Sequence, residues 1–111
     1  MKKISLEKVQ AEGVSHDPEI LKQVLLKRGD APHLTAFSCA TLRAGQTAHA
    51  HAHADMFEVF FAQSGRGTIE IAGEKYALVA GTCILVEPNE QHEISNTGNA
   101  DLVLLYFGLE A

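Results

Sequence analysis

Four ionisable side chains crowd one short segment. His49, His51 and His53 alternate with single alanines, and Glu58 follows five residues after the last of them. Imidazole nitrogen and carboxylate oxygen are common ligands of divalent transition metals. Side chains of an extended chain alternate between faces, so a strand through this segment puts all three imidazoles on one side. The chemistry this offers is metal ligation. The same alternation also fits an exposed edge strand whose histidines are merely polar. Glu58 resists that reading, because Phe57, Val59, Phe60 and Phe61 surround it. A carboxylate in so apolar a run costs several kcal/mol, as an order of magnitude, unless it is paired or bound to a cation.

The elements that must position these residues are strands. After Pro32 the β signal is continuous: His33 to Leu42, the histidine segment, Phe57 to Ala62, Thr68 to Ile71, Lys75 to Val79, Thr82 to Val86, His92 to Ser95 and Leu102 to Phe107. Gly, Asn and Pro punctuate the intervals, and Ala72-Gly73-Glu74 is a hairpin signal. Eight or so short strands at regular spacing indicate an all-β sandwich or barrel. No crossover helices separate them, which excludes a parallel α/β sheet. The start of the chain is less uniform. Residues 1–14 are polar apart from Ile4, Leu6, Val9 and Val14, which suits low order or an edge strand. Over residues 17–28, Asp17-Pro18-Glu19 and the spacing of Ile20, Leu21, Val24 and Leu25 favour a helix by propensity. Gln23 to Lys27 is equally legible as a strand.

The chain has 111 residues, enough for one domain with a real core. Its net charge of −5 argues against a nucleic-acid partner. No apolar run approaches the roughly 20 residues of a membrane helix, and Glu7, Lys8 and Gln10 break any secretory core after Lys2-Lys3. A cytoplasmic protein is expected. Cys39 and Cys83 lie far apart in apolar runs and read as two buried free thiols. Neither has a second ligand at CxxC spacing.

The central region also carries a spaced pattern, Gly45-x5-His51-x-His53-x4-Glu58-x6-Gly65. A second follows as Gly81-x5-Glu87-x-Asn89-x2-His92-x3-Asn96. Together they resemble the two motifs of the cupin family over about Leu34 to Phe107. The first matches at every defined position. In the second, Glu87 replaces the usual Pro, with Pro88 one place late, and Asn89 replaces an internal Gly. Asn best tolerates the left-handed conformation such a Gly adopts.

The resemblance implies an all-β, double-stranded β-helix (jelly-roll) cupin barrel with an extended N-terminal segment. Residues 33–109 would form the barrel and residues 1–32 an arm, within a single domain. It tips residues 24–26 toward strand, with one helical turn at Pro18 to Ile20. It implies a 3-His, 1-carboxylate centre of His51, His53, Glu58 and His92, which leaves an octahedral ion two open positions. Fe, Mn, Ni, Co, Cu or Zn all suit that donor set. His49 falls outside the motif, as a neighbour of the centre, a contact at the barrel mouth or a solvated residue. Phe60, Met56, Phe37 and Tyr106 are candidates for the pocket lining. His16 and His33 carry no spacing signal.

The function implied is a metal-dependent enzyme of dioxygenase, isomerase, decarboxylase or lyase type acting on a small polar molecule, with Glu58 as ligand or base. The alternative is a non-catalytic small-ligand, metal-binding or sensory module. Small cupins commonly pair as homodimers, a role that the apolar residues Ile4, Leu6 and Val9 of the arm would suit.

Overall fold

The structure, a computed structural model, describes residues 1–111. After a 3-10 turn at Leu6–Lys8 come β1 (Glu12–Val14), β2 (Asp17–Lys27), β3 (Leu34–Leu42), β4 (Thr47–His51) and β5 (Met56–Ser64). Then follow β6 (Arg66–Ile71), β7 (Glu74–Val79), β8 (Cys83–Val86), β9 (His92–Ser95) and β10 (Leu102–Glu110). One sheet has the order β1-β2-β3-β10-β5-β8 and the other β4-β9-β6-β7, with every pairing antiparallel. The two sheets close face to face as a jelly-roll barrel. No helix is long and apolar enough to cross a membrane.

Strand alternation builds the core. Phe60 and Ala62 of β5 are 6% and 0% exposed, whereas Phe61 between them is 39% exposed. Ala40, Leu42, Leu102 and Leu104 join them from the same sheet, and Ile69, Leu78 and Ile94 face them from the other. Fully burying one such aliphatic side chain contributes about 2 kcal/mol. Asn96, also buried, clamps the loops at one end of the barrel. Its Nδ2 donates to the carbonyls of Leu42 and Ala100, both at 2.8 Å, and its Oδ1 accepts from the Gly98 N–H at 2.9 Å. The corner glycines Gly45, Gly65 and Gly81 have φ of 85°, 82° and 93°, and Asn89 adopts 69° in the place of the missing motif glycine.

The conflict over residues 17–28 resolves as one long strand, with no helical turn at Pro18 to Ile20. The β1–β2 register jumps from Val14↔Asp17 to Gly13↔Leu21, so Pro18 lies where no ladder partner needs its missing N–H. A bulge at Leu25 shifts the alternation between Val24↔Ser38 and Leu26↔Phe37. Cys39 is buried as expected, but Cys83 is exposed. Cys83 lies on β8, the last strand of its sheet, opposite the outward-facing Phe61.

Candidate metal centre

Three strands and a loop deliver the cluster. His51 ends β4, His53 lies just beyond it, Glu58 is the third residue of β5, and His92 begins β9. His51 and His92 are direct cross-strand partners. Asn89, in its left-handed turn, donates its N–H to the His53 carbonyl at 2.8 Å and so ties the two motifs together. One ligand atom from each of His51, His53, Glu58 and His92 lies within 4.8 Å of the others. Adjacent donors around a metal–nitrogen shell of ~2.1 Å sit about 3 Å apart and opposite ones about 4.2 Å. The spacing fits one ion.

Hydrogen bonds set the tautomers. His51 Nδ1 donates to the His49 carbonyl at 2.9 Å, and His92 Nδ1 donates to the Glu90 carbonyl at 3.0 Å. A carbonyl only accepts, so the proton sits on Nδ1 and the Nε2 lone pair is left to face inward. Glu58 Oε1 lies 3.2 Å from His92 Nε2 and 3.4 Å from His53 Nε2. Both Glu58 Oε1 and His92 Nε2 are buried without a hydrogen-bond partner. The 3.2 Å contact therefore reads two ways, as an imidazolium–carboxylate ion pair or as two acceptors converging on a cation. Burial pushes the His92 pKa down, but the Glu58 carboxylate and Glu90 carbonyl outweigh it and the net shift is upward. Burial lowers the His51 pKa against the pull of the His49 carbonyl, and His92, His16 and His53 add to the lowering. The pair is misaligned for a hydrogen bond and two further imidazoles stand beside it. The donor set fits a divalent ion better than a lone ion pair.

His49 does not share this face. From Ala48 to His51, β4 advances three residues while its partner β9 advances two, from Ile94 to His92. The bulge returns His51 to the inner face of Ala48 and turns His49 outward. His49 instead pairs with Asp17. Its N–H donates to Asp17 Oδ2 at 2.9 Å, and its Nδ1 lies 2.6 Å from Oδ1. The His49 side chain is 70% exposed and that of Asp17 only 5%. Burial raises the Asp17 pKa, but the hydrogen bonds from His49 more than offset this, so the net shift is down.

A cavity of about 180 Å³ opens beside the cluster, bordered by His53, Glu58, Met56, Tyr106, His16 and Lys22. A smaller apolar one of about 60 Å³ lies deeper, against His51, Phe60 and Tyr106. Phe60 stacks on Tyr106 at 5.5 Å and reaches within 5.7 Å of the His92 ring. Of the expected lining, Phe60, Met56 and Tyr106 are present. Phe37 is not, because it points to the outer face and packs edge-on against Phe107 at 6.3 Å. His16, in the β1–β2 turn, was not legible as a pocket residue. Its ring lies 4.3 Å from that of His51, a proximity created by sheet closure that leaves no trace in spacing.

Burial pushes the Tyr106 phenol up to about 12, with Ser38 opposing and Glu58 adding to the shift. The phenol therefore stays a neutral donor. Its native proton is held more tightly than in the unfolded chain, whose phenol ionises near 10. The associated stability is intact below pH 10 and lost as pH rises through 12, about 2–3 kcal/mol in all. Thermal melts from pH 9 to 12 should show this loss, and Tyr106→Phe should flatten it. An identical alkaline profile in the variant would refute the assignment.

The family model described as Cupin domain matches residues 39–108. An oxalate-binding protein of Thermotoga maritima is 32% identical over 69 residues, which cover 62% of this chain and 57% of the relative. The chain thus spans just over half the length of that curated relative. Among solved structures, one described as a predicted oxalate decarboxylase from Thermotoga maritima has a TM-score of 0.91 at 23% identity, covering 99% of this chain and 100% of the other. KdgF from Halomonas sp. has a TM-score of 0.83 at 18% identity, covering 100% and 96%. Likeness at these identities concerns the fold.

Proposed function

Because the chain belongs to the cupin family, we propose that His51, His53, Glu58 and His92 hold one divalent transition metal ion, and that the protein is a metal-dependent enzyme acting on a small carboxylate. The observation that carries this is the orphaned pair, Glu58 Oε1 and His92 Nε2, buried and facing each other with no hydrogen bond. Leaving such groups unsatisfied costs about 1–3 kcal/mol each, and more when charged, and a shared cation removes that cost. When bound, the ion supplies Lewis acidity or electron relay to a substrate oxygen. Both imidazole contacts to Glu58 fall on Oε1, which leaves Oε2 to hold a proton in transit. Phe60 keeps water from the His92 side, and Tyr106 offers a neutral hydroxyl. The oxalate-binding relative supports a small carboxylate as ligand.

That relative equally supports a second reading, binding without turnover. The test is to load the protein with iron, manganese, cobalt, nickel, copper or zinc in turn, add oxalate, and follow binding and product. Oxalate consumption with any metal supports the enzyme. Stoichiometric binding without consumption selects the binding module, and no metal uptake overturns both.

The partner reading includes a second copy of the chain. The outer face of the six-stranded sheet exposes Phe61 and Leu85 (39% and 56%), and the arm exposes Ile4 and Leu6 (47% and 38%). Apolar surface of this kind marks interaction sites. Residues 33–109 would form the barrel and residues 1–32 an arm whose β1 and β2 extend the larger sheet and whose first residues would reach the partner. Light scattering at twice the chain mass would support the dimer, and a monomer would overturn it.

A further inference from the structure

β2 carries a cation that forms no salt bridge, Lys22. Ile20 of β2 is 1% exposed and faces the core. Lys22, two residues on, pairs directly with Ala40, itself a core residue at 5% exposure. Directly opposed residues of an antiparallel pair project to the same face, so the Lys22 side chain follows Ile20 and Ala40 inward. There it borders the 180 Å³ cavity together with His53 and Glu58. The ion pairs of the chain are those of Lys2, Arg28, His49, His53 and His92, and none involves Lys22. No hydrogen bond uses its ammonium group. A lysine on the polar outer face would need no explanation, but this one faces the cavity, and the exposed carboxylate of its other cross-strand partner, Glu12 of β1, forms no salt bridge with it.

We propose that Lys22 is the specificity-determining counter-ion of this cavity, and that the ligand it selects is a small dianion, a dicarboxylate. This deepens the metal-enzyme reading and rests on it. Glu12, opposite Lys22 on the edge strand β1, is exposed and does not border the cavity. A divalent ion held by the single carboxylate of Glu58 carries one net positive charge, and Lys22 brings the charge of the groups that border the cavity to two. Two carboxylates neutralise that, one toward the metal cluster and the other toward Lys22. Ser38 and Thr35 border the same space with hydroxyl donors, and so does Tyr106, whose phenol stays protonated far above neutral pH. Gly108 lets Thr35 and Met56 pack against its backbone, because a Cβ there would collide with Thr35 Oγ1 and Met56 Sδ. The cavity of about 180 Å³ accommodates a short dianion. A neutral analogue of equal size would leave the ammonium unpaired and be rejected.

The experiment measures binding of oxalate, malonate and the neutral diamide oxamide by calorimetry, with metal content determined in parallel. Wild type is compared with Lys22→Met and Lys22→Arg. Lys22→Met preserves the stem and is expected to keep wild-type metal content and melting temperature while losing at least tenfold in dicarboxylate affinity. Lys22→Arg restores most of it. Oxamide binds weakly to all three proteins. Unchanged dicarboxylate affinity in Lys22→Met overturns the proposal, as does failure of the metal-loaded wild type to bind either dianion or equal binding of oxamide. A wild type that takes up no metal sinks the metal reading instead. A Lys22-dependent affinity for dicarboxylates in that metal-free protein would still sustain the role of Lys22.

Discussion

His92→Ala is expected to empty the metal centre, with affinity for a divalent ion falling at least 100-fold and purified protein retaining under about a tenth of the wild-type metal. His92 is 1% exposed, donates from Nδ1 to the Glu90 carbonyl, and brings Nε2 to 3.2 Å from Glu58 Oε1. It is also the ligand contributed from the far motif, so its loss removes both a donor and the partner that opposes His51 across the β4–β9 pair. The buried imidazole leaves a cavity as well, costing about 2–4 kcal/mol of stability. Elemental analysis is therefore read beside circular dichroism, so that loss of metal is separated from loss of fold. His49→Ala is the control. Its side chain points outward to Asp17, so the variant should keep near-wild-type metal content. Equal loss in both variants would mean that the bulge at residues 49–50 does not divide the histidines as described. A folded His92→Ala protein with full metal content would show that the ligands are misassigned.

Gly65→Ala is expected to be the most damaging glycine substitution, at about 3 kcal/mol or more. Gly65 combines two constraints. Its φ of 82° lies in the left-handed region that an L-residue reaches only at a cost, and a Cβ there would collide with the Asp101 carbonyl oxygen and Leu102 Cα. Neither neighbour is the free end of a flexible side chain. Leu102 is fully buried and starts β10, which sits between β3 and β5 in the larger sheet. Relief would have to move the strand around which that sheet is built. Gly45→Ala separates the two costs, because Gly45 has nearly the same φ, 85°, and no heavy atom within 4 Å of its Cβ position. That variant should lose only about 1–2 kcal/mol. For a domain of this size the difference corresponds to several degrees in Tm. Matching melting temperatures for the two variants would refute the collision argument.

Much of the molecule is legible in the sequence. Strand positions followed from Gly, Asn and Pro punctuation around apolar runs, and the Ala72-Gly73 turn between β6 and β7 came out as read. The cupin resemblance rested on two spaced motifs, and all three glycine corners and the left-handed Asn89 turn stand where they imply. Two of the misreadings share one cause. The Pro18–Ile20 turn and the placing of all three imidazoles on one side each assumed local spacing or an unbroken alternation, whereas the register jump at Pro18 and the bulge in β4 decide which side a residue sees. Phe37 faces outward because Ser38 and Ala40 of the same strand face in. A bulge is fixed by the register of the partner strand, and no window of one strand contains that information.

The sequence by itself determined the all-β class, the order of the strands and the residue types of the metal cluster, because periodicity and turn chemistry are local. Tertiary structure alone decided which histidines converge. β4 meets β9 with one residue to spare, so His51 faces His92 and Glu58 while His49 turns out to Asp17. It also decided what stands next to the cluster. His16 and Lys22 come from the β1–β2 turn and from β2, and only the docking of β2 on β3 carries them across to the cavity. Spacing along a chain says which side chains exist to do chemistry; the pairing of strands, a long-range choice made by burial and hydrogen-bond register, says which of them meet.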